Sequence, residues 1–384
     1  MSQTGGGPLI LFPTADFLKT AAIELVAAFS AVTAIIFLFQ PFAGRLGLVD
    51  KPTGGRKDHG APIPVTGGIA IAVGTILPAL LLTPPDAQLV GLGVAAVILL
   101  VTGVLDDIYD IPWPLRVLAQ VAAALSIVLI GGVKVANIGP VFGLAPLALG
   151  YLSIPFTVLA TVGLINALNM ADGIDGLAGS LCVCALTMLV AACFYSGNTE
   201  LAHGLVVIIG AVIAFLAFNI RLPWRKRARI FLGNSGSAYL GLIIAWAIFR
   251  LTQNPVHPVT PVLAPFLIAP PVIDCLVLIV RRLLNKTSPF HADRTHAHHL
   301  MLDGGFSVTG VVLTLCAGSL VLGLSAATAL KFNVPQPWLV ATFGVLTLSY
   351  LLFTRRPEFA IAVYRRITAP FRKSLERVPI GGNR

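Results

Sequence analysis

Long apolar stretches recur along this chain, separated by short polar segments. A membrane helix needs about 20 mostly apolar residues. Eleven stretches qualify, near 18–42, 66–83, 89–105, 115–132, 150–166, 176–195, 203–219, 236–253, 259–281, 307–330 and 336–354. The pattern predicts an all-α polytopic membrane protein of about eleven transmembrane helices, forming one integral domain over residues 1–384. No basic segment precedes the first stretch, which is too long for the apolar core of a signal peptide, so it is expected to be retained.

Charge placement gives the orientation. Lys19, Lys134, Arg250 and Lys331 apart, the 26 basic residues fall in or beside alternate loops 43–65, 106–114, 167–175, 220–235 and 282–306 and the tail 355–384. By the positive-inside rule those segments are cytoplasmic, which puts the N-terminus outside and the C-terminus inside. Every polar motif falls on that same side, which the charge count did not require. Among outer segments, 133–149 is long enough for a small hairpin around Gly139 and Pro140. The basic tail, interrupted by Pro357, Pro370 and Pro379, reads first as a solvated topology signal and second as a segment lying on anionic lipid.

Composition agrees and narrows the function classes. Hydrophobic residues make up 57% of the chain and charged ones 11%, about half the usual charged share of a soluble domain. The net charge of +10 lies in short inner loops, so we read it as topology and phosphate binding, not nucleic-acid binding. Cys182, Cys184, Cys193, Cys275 and Cys316 all lie in apolar runs, which argues against a disulfide framework or a zinc site.

The chemistry concentrates in five places. Asn166 to Ala178 reads NALNMADGIDGLA, with Asn166, Asn169, Asp172 and Asp175 three apart. On a helix these four would share one face, and acids at the end of a membrane-length run are costly unless they serve an ion or a substrate. Asp106, Asp107 and Asp110 would repel one another without a cation, for which Mg²⁺ is suited. A helix cap explains one of those aspartates and not three. In the first inner loop Asp50, Arg56, Lys57 and His59 suit a phosphorylated sugar. The glycine-rich turn around Gly233, Asn234, Ser235, Gly236 and Ser237 offers N–H groups to an anion. The fifth loop gathers His291, Asp293, Arg294, His296, His298 and His299. A zinc site lacks a matching partner cluster there, so hydrogen bonds to a diphosphate are the better reading.

In order, the motifs DKP…RK.H…P..GG, LDD..D, N..N..DG.DGLA, FLG..GS and SPF..DR.H.HHL span about Asp50 to Phe306. Together they resemble the polyprenyl-phosphate N-acetylhexosamine-1-phosphate transferase superfamily. The DR.H.HH form is most similar to the bacterial undecaprenyl-phosphate N-acetylglucosamine-1-phosphate transferases (the WecA type), whereas MraY-like enzymes carry a triple-histidine run. The resemblance implies transfer of a sugar 1-phosphate from a UDP-amino sugar, most often UDP-N-acetylglucosamine, to undecaprenyl phosphate, with release of UMP and with Mg²⁺ or Mn²⁺ required. It implies an inner-membrane enzyme that works at the cytoplasmic face and starts a lipid-linked glycan, and it leaves homo-oligomers open. Catalytic roles would fall to Asp106, Asp107, Asp175 and His298. Substrate would meet Asp50, Arg56, Lys57, His59, Asn166, Asn169, Arg294, His296 and His299, and the metal Asp107, Asp172, Asp175 and position 234.

Position 234 departs from the family pattern, which has a magnesium-binding aspartate where this chain has Asn234. An amide oxygen can ligate Mg²⁺ but brings no charge, so a weaker metal site, a shifted ligand and lost activity all stand as expectations. Retained activity fits the intact remaining motifs best. Two other classes compete. A transporter would place its polar groups near mid-membrane and show a repeat; a non-catalytic homologue would bind lipid phosphate only.

Overall fold

The computed structural model describes residues 13–50, 62–82, 84, 86–254, 259–288 and 295–376. Each of the eleven apolar stretches carries helix. The elements are α1 (Ala15–Phe39), α2 (Gly67–Leu82), α3 (Ala87–Tyr109), α4 (Trp113–Leu129), α5 (Ser153–Ala171), α6 (Leu177–Tyr195) and α7 (Thr199–Asn219). They continue with α8 (Gly233–Thr252), α9 (Ala264–Leu267), α10 (Ala269–Leu284), α11 (Ala297–Asp303), α12 (Val308–Lys331), α13 (Gln336–Thr354) and α14 (Pro357–Glu376). Among the described residues, eight helices are long and apolar enough to cross a membrane. A ninth span results if α9 and α10, bent by 90°, count as one broken span, while the apolar parts of α2 and α4 are shorter. The chain is a multi-pass, all-α membrane protein.

Helix starts follow ordinary capping chemistry. Thr14, Asp86 and Asn198 each accept the N–H three residues on, which opens α1, α3 and α7. The centre of the bundle is α8, whose residues from Ser235 to Phe249 are all buried. Small residues let its neighbours come close, as membrane packing requires. A Cβ added at Gly68 of α2 would lie 2.2 Å from the Gly236 nitrogen, and one at Gly103 of α3 would lie 2.3 Å from the Ser235 Cα. The start of α8 is thus pinned between α2 and α3, and that contact positions the site.

At this end the short strands β1 (Val49–Asp50) and β2 (Ile63–Pro64) pair antiparallel. The chain after β2 is tied to the segment before α8: Phe231 N–H donates to the Pro64 carbonyl at 2.8 Å, and Gly68 N–H to the Leu232 carbonyl at 2.9 Å. At the other end 133–149 forms the expected hairpin, with Ile138 and Leu149 donating to the Leu147 and Ala136 carbonyls. One expectation is corrected here. The tail is not broken at Pro370, which lies within α14; Pro357 opens that helix, where its missing N–H costs nothing, and Pro379 lies outside the described residues.

Candidate functional site

The two adjacent aspartates of LDD..D point to different tasks, because neighbours on a helix diverge by about 100°. Asp106 is buried and bound on both oxygens: Arg116 Nη1 donates to one at 3.0 Å, and the Ile111 N–H to the other at 3.0 Å. Asp107 lies one turn beyond Gly103 and meets the start of α8. It accepts the Asn234 N–H at 2.9 Å, while the Ser235 N–H and hydroxyl approach at 3.5 and 3.3 Å. The N–H groups expected to seat a ligand's anion are therefore held by the protein's own carboxylate. A helix N-terminus favours negative charge, and here α3 supplies it.

The four-residue face expected on NALNMADGIDGLA is only half realised. Helix α5 stops at Ala171, Asp172 closes it with φ −80° and ψ 50°, and α6 starts after Gly176 at φ +83°. Asn166 and Asn169 share the helix face; Asp172 and Asp175 leave it. The reason is local, since Gly173 and Gly176 let the chain turn where a helix would continue. Asn166 Nδ2 donates to Gln120 Oε1 at 2.7 Å, and Asn169 Nδ2 to Asn234 Oδ1 at 2.8 Å and Ser237 Oγ at 3.0 Å. Asp175 accepts Arg221 Nε at 2.7 Å and the Ala228 N–H at 3.2 Å. Asp172 is the exception, a carboxylate that accepts no side-chain or backbone hydrogen bond among the described residues. Desolvation, then the Asp107 and Asp175 charges, push its pKa up to about 7.

The histidine segment reaches the same place through α11. A Cβ added at Gly173 would fall 2.3 Å from His298 Nε2, so this glycine is what lets the histidine ring lie against the DG.DG turn. His296 and His298 stack with centroids 5.4 Å apart, and His299 lies 4.3 Å from His298. Burial, reinforced by His299 and His296, holds the His298 pKa down to about 3. At neutral pH this ring is uncharged, so what it can offer a ligand is a hydrogen bond and not a charge. Its Nε2 has no hydrogen-bond partner among the described residues.

His296 is oriented by a residue that the motifs did not single out. Asp274, on α10, lies 3.0 Å from His296 Nδ1 and also accepts the Ala297 N–H at 3.0 Å and the Tyr350 hydroxyl at 2.8 Å. A carboxylate only accepts, so Nδ1 carries the proton and Nε2 is left for the site. A signal existed: Asp274 is the one acid in the run 259–281, and an intramembrane acid is a functional candidate by default.

A cavity of about 330 Å³ opens among these elements, lined among others by Asp106, Arg116, Gln120, Asn166, Asn169, Asn234, Arg282 and His296. Gln120 and Arg282 were missed because single polar residues at apolar helix ends carry no spacing signal. Asp107, Asp172, Asp175, His298 and His299 stand beside this cavity or behind it, not in its lining. Asp50 sits in β1, away from it. Arg56, Lys57, His59 and Arg294, with His291 and Asp293, lie outside the described residues.

A second, apolar cavity of about 660 Å³ runs between α5, α8 and the broken pair α9–α10. Cys275 and Ile279 line both cavities. A charged chamber and an apolar one thus meet across a single face of α10.

Among the described residues, no three His, Cys, Asp or Glu side chains could together hold a metal ion. Mg²⁺, however, commonly takes one or two carboxylates and completes its shell with water and substrate phosphate. Asp172 fits that form: it accepts no bond among the described residues and is loaded by two like charges that a cation would relieve.

Residues 89–252 match the family described as Glycosyl transferase family 4. A protein of Escherichia coli O157:H7 is 32% identical over 360 residues, covering 93% of this chain and 97% of the relative. One of Yersinia pestis is 34% identical over 337 residues, covering 88% and 91%. One of Haemophilus influenzae is 33% identical over 311 residues, covering 78% and 86%. All three are named undecaprenyl-phosphate alpha-N-acetylglucosaminyl 1-phosphate transferase.

Proposed function

The chain belongs to glycosyl transferase family 4, as a membrane enzyme of the polyprenyl-phosphate N-acetylhexosamine-1-phosphate transferase type, and from that premise we propose its reaction. N-acetylglucosamine 1-phosphate passes from UDP-N-acetylglucosamine to undecaprenyl phosphate, and UMP leaves. The observation that carries this reading is the pair of neighbouring cavities that share Cys275 and Ile279 in their walls. An amphiphile with a phosphate head and a long hydrocarbon tail matches both chambers at once. A transporter accounts for it less well, because the polar groups gather at one end of the bundle. We further propose eleven spans, with this end at the cytoplasmic face of a bacterial inner membrane, and a role in starting a lipid-linked glycan such as O-antigen, common antigen or an exopolysaccharide.

The chemistry asks more for charge neutralisation than for a base. A phosphate monoester has a second pKa near 6, so the acceptor is largely dianionic at neutral pH. Its oxygen attacks the β-phosphorus of the donor, the new P–O bond forms, and the bond to the UMP oxygen breaks. Bringing two anions together calls for positioning and cations. Arg116 and Arg282 line the cavity and supply fixed positive charge. Mg²⁺ or Mn²⁺, when bound, would offset the charge of the diphosphate, with Asp172 as its main ligand and Asp107, Asp175 and the Asn234 amide oxygen close by. Asp106 has the different task of holding Arg116 against the cavity wall. His296, with Nδ1–H on Asp274, offers Nε2 as an acceptor to a hydroxyl or amide N–H of the sugar, and neutral His298 offers a hydrogen bond without charge.

The test is UMP release by the purified protein in detergent, given undecaprenyl phosphate, Mg²⁺ or Mn²⁺ and a panel of UDP-amino sugars. Release with UDP-N-acetylglucosamine that needs the lipid supports the proposal; release with another sugar moves the donor. Silence across the panel, with lipid still bound, favours the non-catalytic reading that Asn234 motivates. Asn234→Asp then becomes informative in either case. Asn169 Nδ2 already faces this position at 2.8 Å, so a carboxylate would keep that partner and add a charge beside the Mg²⁺. The Mg²⁺ concentration for half-maximal rate is expected to fall about tenfold, roughly 1.4 kcal/mol. An unchanged Mg²⁺ requirement removes residue 234 from the ligand set.

Gly173→Ala tests the contact between the two motifs. The added methyl would meet the buried His298 ring, which has little room to retreat. We expect turnover to fall about 10²-fold, on the scale of misplacing a catalytic group, and the melting temperature to fall by a few degrees as the ring is forced aside. Full activity in this variant would show that the His298 position is unimportant.

A further inference from the structure

The C-terminal helix α14 divides into three faces. Ala360, Tyr364 and Thr368, four residues apart, turn inward toward α11. Thr368 Oγ1 donates to the Gly304 carbonyl at 2.9 Å, and Arg365 Nε reaches the Asp303 carbonyl at 3.4 Å. The Tyr364 ring packs edge-on to Phe306 at 5.8 Å, and a Cβ at Gly304 would fall 2.2 Å from the Tyr364 Cβ. The helix bearing His298 and His299 is therefore clamped from behind by α14.

The other two faces are exposed and unlike each other. Phe359 and Ile367 are 58% and 50% exposed and form an apolar strip. Arg355 and Arg356, just before the helix, and Arg365 and Arg366 within it are exposed around them, with the acid Glu358 in the first turn. The direction of the helix tells where this surface lies. If α13 continued straight through, Phe353 and Tyr364 would be about 16 Å apart along the axis, yet their ring centroids are 5.6 Å apart. So α14 turns back across the end of α13, at the level where a membrane span finishes. An apolar strip beside a row of arginines at that level has the composition of a helix lying in the interface.

We propose that α14 is an interfacial helix that binds the headgroups of anionic phospholipids, and that this contact seats α11 and its histidines. Charge complementarity selects the occupant, since each arginine near an anionic leaflet is attracted and a zwitterionic one offers little. The effect on turnover rests on the transferase reading; the lipid contact does not.

The experiment places the full-length protein in nanodiscs of phosphatidylcholine alone or with phosphatidylglycerol, and reads UMP release and amide hydrogen exchange. With phosphatidylglycerol, α14 and α11 amides are expected to exchange severalfold more slowly and turnover to rise severalfold. The triple variant Arg355→Gln, Arg356→Gln, Arg366→Gln is expected to lose both responses while matching the parent in phosphatidylcholine. Equal exchange in the two lipids, or an undiminished response in the variant, overturns the proposal. If no disc releases UMP, the transferase reading fails, and slower exchange in α14 still supports the lipid contact.

Discussion

Asp172→Asn is expected to lower turnover about 10³-fold, about 4 kcal/mol, the scale of losing one preorganised charge-stabilising group. The change is nearly isosteric, and this carboxylate accepts no bond from the described part of the fold, so folding should not suffer. Asp106, by contrast, is buried and ion-paired with Arg116, so Asp106→Asn would disturb the fold and the site together. The control for metal binding is a proton count. Desolvation and two neighbouring carboxylates raise the Asp172 pKa from 3.8 to about 7. A raised acid contributes stability that is complete below pH 3.8 and is lost as pH climbs through about 7. Without metal, the melting temperature should therefore fall as pH rises across that window, and Mg²⁺ should restore it. Near pH 6.5, Mg²⁺ binding should release a proton into a weakly buffered solution, and Asp172→Asn should remove both effects. If proton release persists in the variant, another group takes the metal.

Asp274→Asn is expected to cost about 10²-fold in kcat, with a small change in KM for the donor. The amide oxygen can still accept the Tyr350 hydroxyl and the Ala297 N–H. Its NH₂ group, however, now faces His296 Nδ1, and a donor there favours the opposite tautomer, with the proton on Nε2. The ring then offers the cavity a donor where it had offered an acceptor. Losses of this kind usually run to 10–100-fold when an orienting partner is changed. Tyr350→Phe is the comparison: it removes one of the three bonds and leaves the His296 contact intact, so its loss should stay under about threefold. Nitrogen chemical shifts of His296 report the tautomer directly. An unchanged tautomer with a large rate loss would give Asp274 a structural role instead.

The class of this protein and the motif residues of its candidate site were legible in the chain itself. Apolar length is a one-dimensional property, because a bilayer demands that each span satisfy its own backbone hydrogen bonds; hence the helices appear where the runs do. The motif residues also announced themselves, since acids, asparagines and histidines are too costly at membrane depth to sit there idly. What each one does was decided only by the tertiary structure. Asp106 and Asp107 look equivalent in sequence, yet Arg116 claims one and the start of α8 claims the other. The spacing of NALNMADGIDGLA promised one shared face, but the glycines ended α5 and left Asp172 without a hydrogen bond among the described residues, while Asp175 went to Arg221. Asp274, Gln120 and Arg282 entered the site because α10 and α4 pack beside it, a contact between segments far apart in the chain. Partners set a carboxylate's charge and availability, and partners are a property of packing. Sequence alone named the motif groups; the fold chose their partners and brought in residues that no motif held.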